Sequence, residues 1–469
     1  MKKLISLAVI AVIIFSMYLV ACTDTNTIDR ASNEPSPESG KTPNTVTITL
    51  NRNYEGSETI SIKDATPVEQ ISPLASNPKR YGFNFGGWFF NAACTNPLSK
   101  ASPLLSDTTL YAKWDAWDEA TKESYDAVIE ELTLGSYIIK RPQAYAPKEV
   151  FVQYGFLLET LQVFTIMNNM PMSPDIMQMT NSAKALRLQL QQVKDPEDGL
   201  LYIWDNNIAR AEDAEDYDFY MAADNKDFRP FLVPYILGDQ ENVKGNIIVI
   251  AGGGYSVRVN ATEGFPVAEY YNSIGYNAFV LQRRVAPYPS SDSSLDLQRS
   301  IRYLRYNAEE IGISKPDKII AIGMSGGGGT IMGTVSDYYG DILPTKAYSN
   351  YTPDDVDLVN SDLQAVLVIY GARNLDTDNP NLPPTFMAVG QNDRAALNSI
   401  ALYKQLNDRG VHVDLHIFAD TPHGFVMGSG LLPEYLGGSP INEVDQWPDL
   451  AKVFLDIELG YIPRIEAAQ

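Results

Sequence analysis

Gly323-Met324-Ser325-Gly326-Gly327 sets a serine hydroxyl between small residues, directly after the apolar run at 318–322. In a G-x-S-x-G pattern the chain turns sharply from strand into helix and exposes the serine oxygen, with helix N–H groups facing the same point. The pattern arises by chance in many sequences; the strand-like run before it and helical spacing after it give it weight. The structural alternative is a glycine-rich turn around a buried serine. Glycine inside a helix costs about 0.8–1 kcal/mol relative to alanine, so the run Gly326–Gly329 needs a reason. Close packing of a nucleophile turn supplies one.

A hydroxyl is a poor nucleophile at neutral pH and needs a base. The chain holds three histidines. His412 and His416 share one face of the period-two run "VHVDLHIF" with Asp414, whereas His423 lies in "ADTPHGF", a loop just past that strand. His423 is therefore the expected base. The third member should be a carboxylate placed after an intervening strand, in the order Ser…Asp…His. Asp393, beyond the strand expected at 385–389, fits; Asp420 competes but stands only three residues before His423. Asp393 could instead cap the helix that starts near Ala395. After the strand 246–250 come Gly252, Gly253 and Gly254, so backbone N–H groups can approach a tetrahedral oxyanion. The amides of Gly253, Gly254 and Gly326 are the expected donors. This is the chemistry of nucleophilic acyl transfer.

The elements that would hold these groups follow from periodicity. Strand-like runs occur at 246–250, 277–281, 318–322, 364–370, 385–389 and 411–418, with helical spacing over 295–309, 327–338, 395–409 and 444–457. Such alternation implies an α/β domain with a mainly parallel sheet covered on both faces, its chemistry at the carboxyl ends of the strands. The segment 339–362 could cover that edge. G-x-G-x-x-G and Walker patterns are absent, and no cofactor or metal is expected. A net charge of −22 argues against nucleic acid as a partner.

Upstream, Lys2 and Lys3 precede the uncharged stretch 4–21, which ends in Leu19-Val20-Ala21-Cys22. This has the layout of an export signal; an uncleaved membrane helix is the alternative. Residues 23–44 are polar and rich in Ser, Thr, Asn and Pro, as a solvated tether is. From 45 to 114, "TVTITL" and "YGFNFGGWFF" read as a small β-rich module. Cys94, left without an intrachain partner if Cys22 is modified, reads as a small buried hydrophobe rather than a reactive thiol. Residues 115–215 suggest helices at 124–138 and 181–193 and carry no chemical motif.

Three resemblances add to this. Leu19–Cys22 resembles a bacterial lipobox, which implies lipidation of Cys22 and an extracytoplasmic chain anchored to the bacterial cell membrane. Residues 45–114, through Gly86-Gly87-Trp88 and Tyr111-Ala112-Lys113-Trp114, resemble the Listeria–Bacteroides repeat, which implies a spacer or a contact with the cell wall or another surface. Residues 216–457, within a catalytic domain expected over 216–469, resemble the α/β-hydrolase superfamily, in its acetylxylan-esterase-like and feruloyl-esterase-like branch. That likeness implies Ser325 as nucleophile, His423 as general base, Asp393 as its orienting acid, and a small-molecule or polysaccharide ester as substrate. The chain departs from the common pattern at Gly326, where alanine is frequent, and at Ala251, where proline or histidine is frequent. A prolyl-oligopeptidase-type serine peptidase and a non-catalytic surface-binding protein are the competing expectations; no propeller-like repeat precedes the domain, which counts against the first.

Overall fold

A computed structural model describes residues 46–54, 59–65, 78–99, 106–205, 207–214, 217–379, 381–428 and 442–464. Cys22, the preceding apolar stretch and the tether 23–44 lie outside the described residues. The chain divides into two compact units, one within residues 20–127 together with 171–173, the other containing 128–170 and everything from 174 onward.

The small unit is a four-stranded sheet of β1 (Val46–Asn51), β2 (Thr59–Ala65), β3 (Phe83–Phe89) and β4 (Thr108–Ala116), in the order β2-β1-β4-β3. Its core is Ile48, Leu50, Trp88, Leu110 and Ala112. Gly87 takes a left-handed φ of 104°, at the register shift between Phe85 and Trp88 where β3 bulges against β4. Trp88 thereby packs inward. Cys94 corrects the expectation of a buried hydrophobe. It is half-buried, in a turn closed by Asn91, and its sulfur lies 3.5 Å from Asn53 Nδ2 and 3.6 Å from the Ala112 carbonyl.

After the helix α1 (Glu119–Ile138) come β5 (Tyr145–Ala146), α2 (Lys148–Gln162), α3 (Pro174–Arg187), β6 (Gln191–Gln192), β7 (Leu201–Tyr202) and β8 (Phe231–Tyr235). There follow β9 (Asn246–Ile250), α4 (Phe265–Ser273), β10 (Asn277–Gln282), α5 (Ser290–Tyr306), α6 (Ala308–Ile311), β11 (Ile319–Met324) and α7 (Gly326–Asp337). The chain then adds β12 (Ala365–Ile369), β13 (Thr385–Gly390), α8 (Ala395–Asp408), β14 (Val413–Phe418) and α9 (Trp447–Glu458). The large sheet has the order β14-β13-β12-β11-β9-β10-β8-β7, parallel from β14 to β10 and antiparallel at β8 and β7.

Every residue of β9 to β13 is buried, as their unbroken apolar runs require of strands covered on both faces. From β9 the chain crosses to β10 on one side and returns to β11 on the other. Between β9 and β11 the winding reverses, and the crevice at the carboxyl ends of this pair is where such sheets bind ligands.

The boundary expected at 215/216 does not divide two units, because β7 belongs to the large sheet and residues 128–170 share its unit. β8 escapes sequence reading through Pro234. β7 reaches only Phe231 and Leu232, so beyond them β8 is an edge strand that tolerates proline. The helix expected at 181–193 instead begins at Pro174 and ends at Arg187.

The segment 339–362 is tied to α5. Arg299 pairs with Asp354 at 2.6 Å and Asp357 at 3.2 Å, and Arg302 donates to the Ile342 carbonyl at 3.0 Å. A third buried arginine fixes the start of α5. Arg284 donates to both oxygens of Asp296, to Asp292 at 2.9 Å and to the Ala209 carbonyl at 2.8 Å. Trp204 Nε1 shares Asp296 at 2.8 Å. Asp296→Ala should therefore lower unfolding stability by about 3–5 kcal/mol, since it leaves the buried Arg284 with Asp292 as its one carboxylate and takes the acceptor from Trp204 Nε1. The urea midpoint measures it; a change under 1 kcal/mol, about the worth of a surface pair, would contradict this packing.

Candidate active site

Ser325 joins β11 to α7 with φ 50° and ψ −119°, a backbone state that costs a non-glycine residue about 1–3 kcal/mol and recurs at functional turns. Its neighbours hold it there. The Ser325 N–H donates to the Ile369 carbonyl at 2.9 Å. A Cβ on Gly327 would stand 2.1 Å from the Ile250 carbonyl oxygen, so only glycine lets α7 begin this close to β9. The glycine run is a packing requirement of the turn.

Two loops reach the serine from the far side of the sheet. The loop after β13 is joined to the loop after β14 by the Asn392 N–H, which donates to the Thr421 carbonyl at 3.0 Å. This brings together Asp393 and His423, whose side chains are 3% and 9% exposed. Asp393 Oδ2 lies 2.7 Å from His423 Nδ1, and His423 Nε2 lies 2.9 Å from Ser325 Oγ. An Nδ1–H held by the carboxylate leaves a lone pair on Nε2 toward the hydroxyl. The other oxygen of Asp393 accepts the Ala395 N–H at 2.8 Å, so the aspartate serves the helix start as well.

The competing residues stand elsewhere. Asp420 is exposed, with a left-handed φ of 52°. His412 bonds Glu458 through Nδ1 and stacks on Phe454. His416 packs against Phe386 with ring centroids 5.2 Å apart, and burial lowers its pKa.

At the end of β9, Gly253 (φ 107°) and Gly254 (φ 56°) fold the loop back beneath Ser325. A Cβ on Gly253 would meet the Val257 carbonyl at 2.3 Å, another close approach that excludes a side chain. A Cβ placed on Gly326 would lie 3.3 Å from the nitrogens of both Gly254 and Tyr255, so the head of α7 and this loop meet. The Gly254 and Tyr255 amide nitrogens thus stand beside Gly326, and Tyr255 is one that the sequence reading did not name.

Sequence reasoning also missed Glu263, Tyr370, Glu159 and Met167. Met167 Cε lies 2.8 Å from where a Gly254 side chain would start. Glu159 of α2 accepts the Ala261 N–H at 2.6 Å, while its second oxygen is buried without a partner. Burial first, then the nearby Glu263 charge, hold its carboxyl well above the ordinary range. A carboxyl raised in the folded state contributes stability below its unfolded pKa and loses it as pH rises through the folded value. Glu159→Gln keeps an acceptor for Ala261 but does not titrate. Its stability advantage over the unaltered chain should widen as pH rises above about 4.5, read as urea midpoints across pH. A constant gap would contradict this.

The switch-point placement of Ser325, with Asp393 and His423 on the following loops, makes the larger unit an α/β-hydrolase fold. Residues 47–113 match the Listeria–Bacteroides repeat domain family. The chain is 25% identical over 213 residues to an acetylxylan esterase of Xylanibacter ruminicola, a match covering 40% of this chain and 43% of that protein. It thus spans less than half the length of this curated relative. An acetyl ester-xyloside bifunctional hydrolase from Caldicellulosiruptor lactoaceticus is similar at 27% identity and TM-score 0.44, over 56% of this chain and 97% of the other. A thermophilic esterase of Thermogutta terrifontis is similar at 21% identity and TM-score 0.40, over 51% and 91%.

Proposed function

We propose that this chain is a serine esterase whose nucleophile, base and orienting acid are Ser325, His423 and Asp393. The observation that carries this is the unbroken hydrogen-bond sequence from Asp393 through His423 to Ser325 at the sheet's switch point. Ser325 Oγ attacks the ester carbonyl as His423 Nε2 takes its proton. The carbonyl oxygen becomes an anion facing the amides of Gly253, Gly254 and Gly326, each such donor contributing about 10²–10³ in turnover. Collapse expels the alcohol, which leaves with the proton from His423. Water then enters by the same route, giving up its proton to His423 as it attacks, and frees the acid and Ser325. Asp393 keeps the imidazole in the tautomer that both halves need.

The substrate we propose is an acetyl ester on a carbohydrate, with feruloyl esters as the neighbouring choice. The acetylxylan esterase relative supports the acetyl reading. Acetate released from acetylated xylan by the chain starting at Thr23, and not by Ser325→Ala, is the expected result. Release of ferulate from feruloylated arabinoxylan with no acetate would overturn the acyl assignment.

We further propose that Cys22 is lipidated and holds the chain on the outer face of a bacterial cell membrane, with residues 45–114 as spacer or surface contact. The apolar stretch before Leu19-Val20-Ala21-Cys22 supports this. Palmitate labelling of the whole chain in a bacterial host should be lost in Cys22→Ser; equal labelling would refute the anchor.

A further inference from the structure

Glu263 has none of the roles assigned above, yet it touches both halves of the site. Its side chain is wholly buried. One oxygen accepts the Gly252 N–H at 2.8 Å, directly before the loop of Gly253 and Gly254. The other accepts the Tyr370 hydroxyl at 2.8 Å. Tyr370 follows β12, and its ring lies edge-on to the His423 imidazole, centroids 4.8 Å apart and planes at 61°. Phe425 supports the same ring from a second direction at 4.8 Å. The tyrosine backbone is left-handed, φ 41°, held by its N–H on the Ala388 carbonyl at 2.8 Å. One carboxylate therefore joins the loop after β9 to the ring that backs the histidine.

We infer that Glu263 and Tyr370 are positioning residues that hold the oxyanion loop and the His423 imidazole in register with each other. The inference rests on the esterase reading for what that loop and that imidazole do. A neutral amide at 263 has one acceptor oxygen, so if Gly252 keeps it the Tyr370 hydroxyl must turn from donor to acceptor and its own proton loses its buried acceptor. Tyr370→Phe keeps the ring against His423 and removes only the hydroxyl. A displacement of the order of 1 Å in either group is enough to cost about 10²-fold in rate.

Charge supplies a second readout. His423 is faced by Asp393 from the loop after β13, by Ser325, by Tyr370 and, across that tyrosine, by Glu263. Glu263 is faced by Tyr370, Glu159, Arg283 and His423; burial raises its pKa, and its two hydrogen bonds and the His423 and Arg283 charges oppose that rise. An anion near an imidazole favours the protonated ring. Removing it should move the His423 titration to lower pH.

The test uses the chain from Thr23 with Glu263→Gln and Tyr370→Phe. Steady-state p-nitrophenyl acetate hydrolysis is measured beside an NMR titration of the three histidines, with His423 assigned by His423→Gln. Both variants are expected to lose about 10- to 100-fold in kcat with KM nearly unchanged, and Glu263→Gln to titrate His423 at lower pH. A drop in Tm alone, with kcat and the His423 midpoint unchanged, is what a purely structural role gives and would overturn the inference. If the unaltered chain shows no turnover dependent on Ser325, the esterase reading fails by itself. The histidine titration then still decides whether Glu263 acts on His423.

Discussion

His423→Ala should reduce kcat for p-nitrophenyl acetate by about 10⁶-fold, to a level that Ser325→Ala does not lower further. Both residues act in one proton transfer, so the loss of either abolishes it, and their effects do not add. What remains is the contribution of the backbone amides and of binding, about 10³–10⁴ over water. The variant should stay folded. His423 sits in a loop whose backbone is tied to the loop after β13 by the Asn392–Thr421 bond, not by the imidazole. Circular dichroism with the kinetics of both single variants and the double variant checks this. A double variant a further hundredfold slower than either single one would show that the two groups act separately.

Asp393→Asn should cost about 10⁴-fold in kcat with little loss of stability. The aspartate makes two distinct bonds, Oδ2 to His423 Nδ1 at 2.7 Å and Oδ1 to the Ala395 N–H at 2.8 Å. An asparagine can keep its oxygen on Ala395, preserving the start of α8. Its NH₂ then faces Nδ1 as a donor and forces the proton onto Nε2. In that tautomer the ring cannot accept the Ser325 proton. Asp393→Ala loses the helix bond too, so it should be both inactive and less stable, by about 1 kcal/mol. The comparison separates the two tasks of one carboxylate. An asparagine variant within tenfold of the unaltered kcat would mean that Asp393 serves α8 alone.

The parts of the site that could be read from the chain are those with local turn chemistry. Ser325 sits in a turn that demands glycine at 323 and 327, and each glycine has its backbone neighbour. His423 and Asp393 could be chosen because each follows a strand, and sequence order kept both in the loops beside Ser325. Glu263, Tyr370 and Glu159 carry no such mark. None stands in a recognisable motif, and their partners lie 11 to 107 positions away. Periodicity likewise found the parallel strands, whose burial on both faces makes them continuous apolar runs. It failed at β8, where Pro234 interrupts the run, and at β7, which has only two residues. It failed again at α2, where residues 154–162 are buried without a break and leave no polar stripe to set the period. Cys94 was misread for a related reason: composition says that cysteine is usually buried, while the asparagine-closed turn around it is visible only in three dimensions.

The measurement that tests the central claim most directly is acid quenching of the chain from Thr23 during p-nitrophenyl acetate turnover, followed by peptide mass analysis. An acetyl group on the peptide carrying Ser325, absent together with turnover in Ser325→Ala, is the predicted result. Turnover that persists in Ser325→Ala, or an acetyl group carried by another residue while Ser325 stays free, would contradict the account.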